Sequence, residues 1–337
     1  MDRISDIFAS KKPLVVFTTA GYPDPARSEE GIAAAIENGA DIIELGVPFS
    51  DPMADGPVIA AASQQTAERG YSIDDVLALA GRIRTKYPRV GIILFSYMNP
   101  MLHFGYDALC AELARIGVDG ILPVDLPLEE RDELLGPCRK HGLHMIPLVS
   151  PLTPPERIRE IVDGMTGFVY YINVAGVTGA RHGLPADYPR LMEQVKSLTS
   201  LPVASGFGIA DAETAKEAAR YADGVISGSG FVKALASGVK EAGDFVRMLA
   251  DAVNEFRVSA VIRGLRAVSD FEYEFQMALM NRELNAACET LFMMPSPEYS
   301  FVSSRLIREI ASCGGSVSAF VPAAVVEAVR AKMESRS

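Results

Sequence analysis

The chain lacks an excess of basic residues: 32 Lys and Arg stand against 43 Asp and Glu, for a net charge of −11. A protein that neutralises a phosphate backbone needs the opposite balance, so simple electrostatics argues against a nucleic-acid partner. No apolar run reaches membrane-spanning length, and the opening residues, MDRISDIFASKKP, contain no apolar signal core. Cysteine is scarce. Cys110, Cys138, Cys288 and Cys313 are scattered, with no close pair and no metal-ligand spacing. These absences predict a reduced, cytoplasmic protein with no metal and no membrane. A GxGxxG after the first strand is missing too, which counts against a dinucleotide fold.

What is present is an apolar fraction of 49% over 337 residues, enough for a barrel-sized core and an appendage. Short β-branched or apolar runs recur at 14–19, 41–45, 91–96, 120–124, 144–149, 168–172, 202–205 and 224–227. Segments of helical periodicity separate them, at 28–38, 73–86, 106–116, 128–141, 155–164, 191–198 and 212–219. Eight strands alternating with helices predict an α/β fold of the (β/α)₈ barrel type, with a doubly wound sheet as the alternative.

The run ELGVPFSDPMADGP at 44–57 carries the most chemistry. The apolar residues before it predict a buried parallel strand that places Glu44 at its carboxyl end, where such folds keep their active sites. Pro48, Pro52, Gly56 and Pro57 then stiffen a loop able to carry Asp55 back over the strand ends. An unpaired buried acid is costly, so two acids here point to acid–base work. The structural alternative is a salt-bridged Glu44 and a helix-capping Asp55.

Glycines cluster at three consecutive strand ends: GVTG at 176–179, GFG at 206–208 and GSG at 228–230. Backbone amides in glycine turns and at helix N-termini approach a phosphate closely, and the helix dipole favours the anion. In barrels the loops after the last two strands usually build that site. Gly230 also admits a packing role, and Lys233 reads as a helix-face residue.

These motifs, with SYMNPM at 96–101, DLP at 125–127, SGFGI at 205–209 and SGSGFVK at 227–233, resemble the tryptophan synthase alpha subunit from residue 1 to about 254. The resemblance implies a TIM barrel that cleaves indole-3-glycerol phosphate by a retro-aldol reaction, giving indole and glyceraldehyde 3-phosphate. It assigns acid–base catalysis to Glu44 and the indole N–H to Asp55. Phe17, Tyr97 and Tyr170 match positions lining the indole site, though each is equally readable as a core aromatic. Gly179, Gly208, Gly228 and Ser229 would hold the phosphate, and Thr178 lies in a loop that closes over the site. The implied partner is a beta subunit, in an alpha2beta2-type complex; pyridoxal phosphate would belong to that partner, with no cofactor in this chain.

After Asn254 the character changes. The first 254 residues hold 23 basic and 33 acidic side chains, and the remainder holds 9 and 10. VSAVIRGLRAVSDFEYE at 258–274 and PEYSFVSSRLIRE at 297–309 resemble the later half of phosphopantetheine adenylyltransferase. The expected organisation is therefore a barrel at 1–254 followed by an incomplete nucleotidyltransferase-like fragment at 255–337. By that resemblance Arg263 would meet the pantetheine phosphate. Gly264, Leu265, Arg266, Glu274, Ser303 and Ser304 would be vestiges of an ATP site. Arg305 departs from the small hydroxyl residue expected there. The opening GTFDPxTxGH segment is missing, and no histidine follows Asn254, so adenylyl transfer is not expected.

The leading reading is thus a lyase with an inactive tail. Another phosphate-handling barrel enzyme is disfavoured by the absence of a lysine or histidine at the strand ends. The reading from another class is a binding or scaffold protein whose tail keeps nucleotide-binding or oligomerising surface.

Overall fold

The computed structural model describes residues 2–172, 184–206, 208–254, 260–265, 268–284, 289–294, 296 and 302–334. The chain divides into two compact units, Met1–Glu255 and Phe256–Ser337.

In the first unit the strands are β1 (Leu14–Thr19), β2 (Ile42–Gly46), β3 (Gly91–Ser96), β4 (Gly120–Pro123), β5 (His144–Met145), β6 (Leu148–Val149), β7 (Val169–Ile172), β8 (Val203–Gly206) and β9 (Gly224–Ser227). They form one parallel sheet in the order β5-β4-β3-β2-β1-β9-β8-β7-β6. Its two ends, β5 and β6, are halves of one run interrupted at Ile146-Pro147. Proline has no N–H for the ladder, so the run splits there. Ile146 N still donates to Ile121 O at 2.8 Å, and Tyr170 N donates to Pro147 O at 2.9 Å. The sheet therefore closes on itself as the expected barrel, and the doubly wound alternative falls.

The helices are α1 (Arg3–Ser10), α2 (Pro25–Glu37), α3 (Pro57–Glu68), α4 (Ile73–Lys86), α5 (Met98–Phe104), α6 (Tyr106–Ile116), α7 (Asp132–His141), α8 (Pro155–Val162), α9 (Tyr188–Ser197), α10 (Ala212–Tyr221), α11 (Ser229–Ser237) and α12 (Val239–Val253). Strand residues alternate between two cores, as the period of two requires. Leu14, Val16, Ile43, Leu45 and Leu94 face the helices. Val15, Ile42, Ile93, Leu122, Ile146, Phe168, Ala204 and Ile226 fill the barrel.

Ile4 of α1 is fully buried against that inner layer and plugs the amino-terminal mouth. Asp2 caps α1 through Ser5 N at 3.0 Å. Arg3 and Arg84 each reach Asp119 at 2.8 Å, and Asp119 also accepts Ile92 N, so this buried charge is fully paired. The amino-terminal end is thereby sealed.

The second unit is built from β10 (Ala260–Gly264), α13 (Val268–Leu284), β11 (Glu289–Met293), α14 (Ser304–Ser312) and α15 (Ala323–Glu334). The two strands pair in parallel, with Ile262 opposite Leu291 and Gly264 opposite Met293. Phe292 packs against Phe271 of α13, ring centroids 5.7 Å apart. The opposite face is bare: Ile262, Leu291 and Met293 are 64%, 53% and 58% exposed. Parallel sheets normally bury both faces, so this unit has half of the core its topology calls for.

Candidate active site

Glu44 is the third of the five residues of β2, not the last residue of its strand. The strand runs on to Gly46 because Gly46 pairs with both Thr19 and Phe95. In register, Glu44 lies between Phe17 on β1 and Ile93 on β3, and all three are buried. The side chain therefore enters the barrel on top of the inner apolar layer. Both carboxylate oxygens are buried without a hydrogen-bond partner among the described residues. Loss of hydration with nothing to replace it favours the neutral acid, and burial pushes the pKa up to about 8. Among the described residues Glu44 has no salt-bridge partner.

Asp55 does not cap a helix either. Gly56 takes the N-cap position of α3, where Pro57 is well suited to the first turn. The Asp55 carboxylate instead accepts a hydrogen bond from Tyr97 Oη at 3.1 Å. Burial raises its pKa to about 6, against the lowering effect of that bond. The Tyr170 phenol is pushed well above its ordinary range, first by burial, then by the charges of Glu44 and Asp55. Tyr170 thus feels both acids and Tyr97 bonds one of them, so the four side chains form one cluster.

Two glycines pack against aromatic rings: Gly46, which the sequence gives no site role, and Gly206, which it gives only as part of the GFG phosphate turn. A β-carbon on Gly46 would lie 2.7 Å from the Phe17 ring. One on Gly206 would lie 2.7 Å from Tyr170 Oη. Close approach to an aromatic ring is thus the reason for glycine at each place. Phe17 packs edge-on against Phe95 with centroids 4.7 Å apart, and with Ala62 and Val232 forms a small apolar cluster under the mouth. Phe17 is 4% exposed and Tyr97 2%, so both are core aromatics as well as wall.

Gly208 is exposed and has φ +81°, a conformation that side chains disfavour. Gly228 caps α11 without any side-chain bond, which leaves the first-turn amides at Ser229 and Gly230 without an intrahelical acceptor. Gly230 has the packing role as well, since a β-carbon there would lie 2.6 Å from Phe245. Lys233 is an exposed residue of α11. Thr178 and Gly179 lie outside the described residues.

Of the tail residues singled out by sequence, Arg263 pairs with Glu274 at 3.1 Å. Leu265 is buried, and Gly264 is exposed on β10. Ser303 caps α14, accepting Leu306 N at 3.1 Å. Arg266 and the Ser304 side chain lie outside the described residues. Three of these residues therefore have ordinary structural partners.

Two of the cysteines meet in space. Cys110 on α6 and Cys138 on α7 are far apart in sequence, yet their Sγ atoms lie 3.9 Å apart in the helix layer, buried and unbridged. The approach comes from helix packing, which spacing along the chain does not reveal.

A barrel with a buried unpartnered acid, a second acid bonded to a tyrosine and an uncapped helix start invites comparison with known proteins. The family model described as "Tryptophan synthase alpha chain" matches residues 6–261. The chain belongs to the tryptophan synthase alpha chain family. It is 43% identical over 241 residues to the tryptophan synthase alpha chain of Coxiella burnetii (strain CbuK_Q154), covering 72% of this chain and 93% of that one. It is 40% identical over 274 residues to that of Carboxydothermus hydrogenoformans, covering 80% and 100%. Among solved structures, tryptophan synthase subunit alpha from Legionella pneumophila str. Paris superposes with a TM-score of 0.71 at 33% identity, over 76% of this chain and 100% of that one. The aminoacrylate-bound tryptophan synthase from M. tuberculosis gives 0.69 at 34% identity, over 75% and 100%. The chain is accordingly a lyase of tryptophan biosynthesis. No helix among the described residues is long and apolar enough to cross a membrane.

Proposed function

We propose that the barrel cleaves indole-3-glycerol phosphate by a retro-aldol step, with Glu44 as acid–base residue and Asp55 as partner of the indole N–H. One observation carries this: a carboxyl group buried without a partner among the described residues, with a second, loop-borne carboxylate near enough for both to act on the Tyr170 phenol. The bond to be broken joins indole C3 to the carbinol carbon of the glycerol chain. A proton must reach C3, and the hydroxyl on that carbon must lose one. A carboxyl group held neutral up to about pH 8 can donate the first proton and, as carboxylate, take the second. The electron pair of the broken bond returns to the ring, and the hydroxyl carbon leaves as an aldehyde. Positive charge developing on the ring during protonation is delocalised to the indole nitrogen. Asp55, ionised above about pH 6, is the group suited to meet that N–H.

Phe17, Tyr97 and Tyr170 supply the apolar walls of the indole site. Gly208, Gly228 and Ser229, with Gly179, supply amides for the phosphate. Support comes from the positive φ of Gly208 and the uncapped start of α11. Thr178 belongs to the segment that closes the site. The natural partner is a beta subunit, reached through the loop at 48–57, in a complex of alpha2beta2 type; the pyridoxal phosphate belongs there. The wider assignment is a cytoplasmic enzyme whose barrel spans 1–254.

The segment 255–337 reads as the later part of a phosphopantetheine adenylyltransferase-like fold that no longer transfers adenylate. The pairing of Arg263 with Glu274 supports this, because it occupies the cation that would meet a phosphate.

The test of the lyase is release of indole from indole-3-glycerol phosphate by the purified chain, followed with Glu44→Gln and Asp55→Asn alongside. Indole release that survives Glu44→Gln at the wild-type rate removes Glu44 from the chemistry.

A further inference from the structure

Tyr97 does more than line a wall. It follows β3 directly and is the N-cap residue of α5. The next amide, Met98 N, donates to Asp125 Oδ1 at 2.7 Å, so this turn is tied to the segment after β4. The Tyr97 ring packs on Phe49, centroids 5.1 Å apart. Phe49 in turn is clamped by one hydroxyl: its N–H donates to Ser63 Oγ at 2.8 Å, and Ser63 Oγ donates to Phe49 O at 3.0 Å. The phenol is thus fixed from β3, α3 and the 125 segment together.

From that fixed point it makes two bonds to consecutive residues of the loop after β2. Ala54 N donates to Tyr97 Oη at 3.0 Å, and Tyr97 Oη donates to Asp55 Oδ2 at 3.1 Å. The loop around them is open: Met53 is 86% exposed and Ala54 is exposed. Its internal bonds, Met53 N to Asp51 O and Asp55 N to Pro52 O, make a local turn and do not tie it to the barrel. Among the described residues, Tyr97 supplies the tether beyond the loop's base, where Ser63 holds Phe49 and Val47 N donates to Phe95 O at 2.9 Å.

We propose that Tyr97 is the positioning residue for Asp55: its phenol accepts the amide before the carboxylate and donates to one carboxylate oxygen, leaving the other for the substrate N–H. This rests on the role proposed for Asp55 and goes beyond it, since lining an indole pocket requires only a ring. The hydroxyl is what separates the two roles, because Phe would line the pocket equally well.

The charged and titratable groups that meet around Asp55 are Tyr97 from the end of β3, Tyr170 from β7, which feels both Asp55 and Glu44, and Asp125, which acts on Tyr97. Of these, Tyr97 alone lowers the Asp55 pKa, through its hydrogen bond. Removing the hydroxyl leaves burial unopposed, and Asp55 then takes its proton at higher pH.

The experiment compares wild type, Tyr97→Phe and Asp55→Asn in the full chain, by pH-dependent indole release and by hydrogen exchange at the Ala54 amide. Expected for Tyr97→Phe is a fall in kcat of roughly ten- to a hundredfold, the range for losing a bond to a charged group, with KM little changed. The acid limb should move up from about pH 6, and the Ala54 amide should lose protection. Site-specific 3-fluorotyrosine at 97, a more acidic donor in an unaltered fold, should move the acid limb down, and this arm decides the matter if Tyr97→Phe folds poorly. A change in KM alone, with the acid limb and the Ala54 amide unmoved, overturns the proposal. Normal turnover by Asp55→Asn would instead overturn the Asp55 assignment itself, a result distinct from failure at Tyr97.

Discussion

Tyr170 of β7 lies diagonally across from Gly206 of β8, and the space a side chain would need at Gly206 is filled by the Tyr170 phenol. Tyr170 pairs with Ala204 and Ile172 with Gly206, and a β-carbon on Gly206 would sit 2.7 Å from Tyr170 Oη. Contacts that short do not persist, so one of the two residues must shift. We predict that Gly206→Ala displaces the Tyr170 phenol from its place beside Glu44 and Asp55. Indole release should fall by roughly tenfold or more, while thermal stability falls by about 1–3 kcal/mol, the usual cost of overpacking. Gly206→Ala combined with Tyr170→Phe should recover part of the lost stability, as measured by thermal unfolding. Full activity in the single variant would show that the Tyr170 position is not critical.

Glu44 links activity to stability. Its pKa is raised by burial to about 8 from 4.5, so the folded state holds a proton that the unfolded state has lost between those values. Stability therefore falls as pH rises through that window, and the burial penalty is complete above about pH 8. Glu44→Gln removes the titration. We predict a variant that is more stable than wild type, by a margin that grows from pH 5 to pH 8 toward a ceiling of about 5 kcal/mol. Its indole release should drop by at least roughly 10²-fold, because an amide cannot exchange the proton. Melting temperatures measured across this range would reject the idea if the margin is flat.

The same two acids predict the shape of the rate profile. Asp55 is raised to about 6 and must be ionised, and Glu44 is raised to about 8 and must start protonated. A bell-shaped dependence of kcat/KM follows, with limbs near those values. Asp55→Asn should abolish the acid limb along with most of the activity. A profile without an alkaline limb between about pH 7 and 9 would remove Glu44 as the proton donor.

Much of this was legible in sequence, for definite reasons. The runs at 14–19 and 91–96 coincide with β1 and β3, and 73–86 and 106–116 coincide with α4 and α6. In each case periodicity was uninterrupted and turn residues marked both ends. Five helices escaped. Helix α1 is only 8 residues long, too short to show a repeating pattern, yet Ile4 plugs the barrel. Helix α3 begins at Pro57, which reads as the end of a proline-rich loop although proline suits a helix's first turn. The small helix α5 and the glycine-punctuated pair α11 and α12 also lack long clean patterns. Glu44 and Asp55 could be found because acids bordering an apolar strand are conspicuous. The packing reason for glycine at 46 and 206 could not, because it is the position of a ring on a neighbouring strand.

The phosphate reading makes a separate prediction. Gly208 is exposed with φ +81°, and Gly228 opens α11 with its first amides uncapped. Inorganic phosphate or sulfate should compete with substrate at the millimolar level typical of a small anion held by amides, about 1–10 mM. Gly208→Val should raise KM and weaken that competition, since a β-branched residue at positive φ rebuilds the turn. A dephosphorylated substrate that binds as well as the phosphorylated one would end this reading.

The last prediction concerns the second unit. All nine barrel strands and the helix α12 end before Glu255, and the tail's two strands form a sheet of their own. The tail has a two-stranded sheet with Ile262, Leu291 and Met293 exposed on one face, and Tyr273 and Met280 of α13 are exposed as well. Two strands with one covered face are marginal in water, and backbone that opens often is cut often. Limited proteolysis should therefore remove the tail first and leave a resistant barrel. A chain ended at Asn254 should release indole within about twofold of the full protein, since every proposed catalytic group is retained. Purified full-length protein should form no dephospho-coenzyme A from ATP and phosphopantetheine. Arg263 is already paired with Glu274, Ser303 is committed to capping α14, and no histidine is available after Asn254. Adenylyl transfer that is lost on Arg263→Ala, or a barrel that unfolds once the tail is cut away, would show that the second unit contributes what its half-built core argues against.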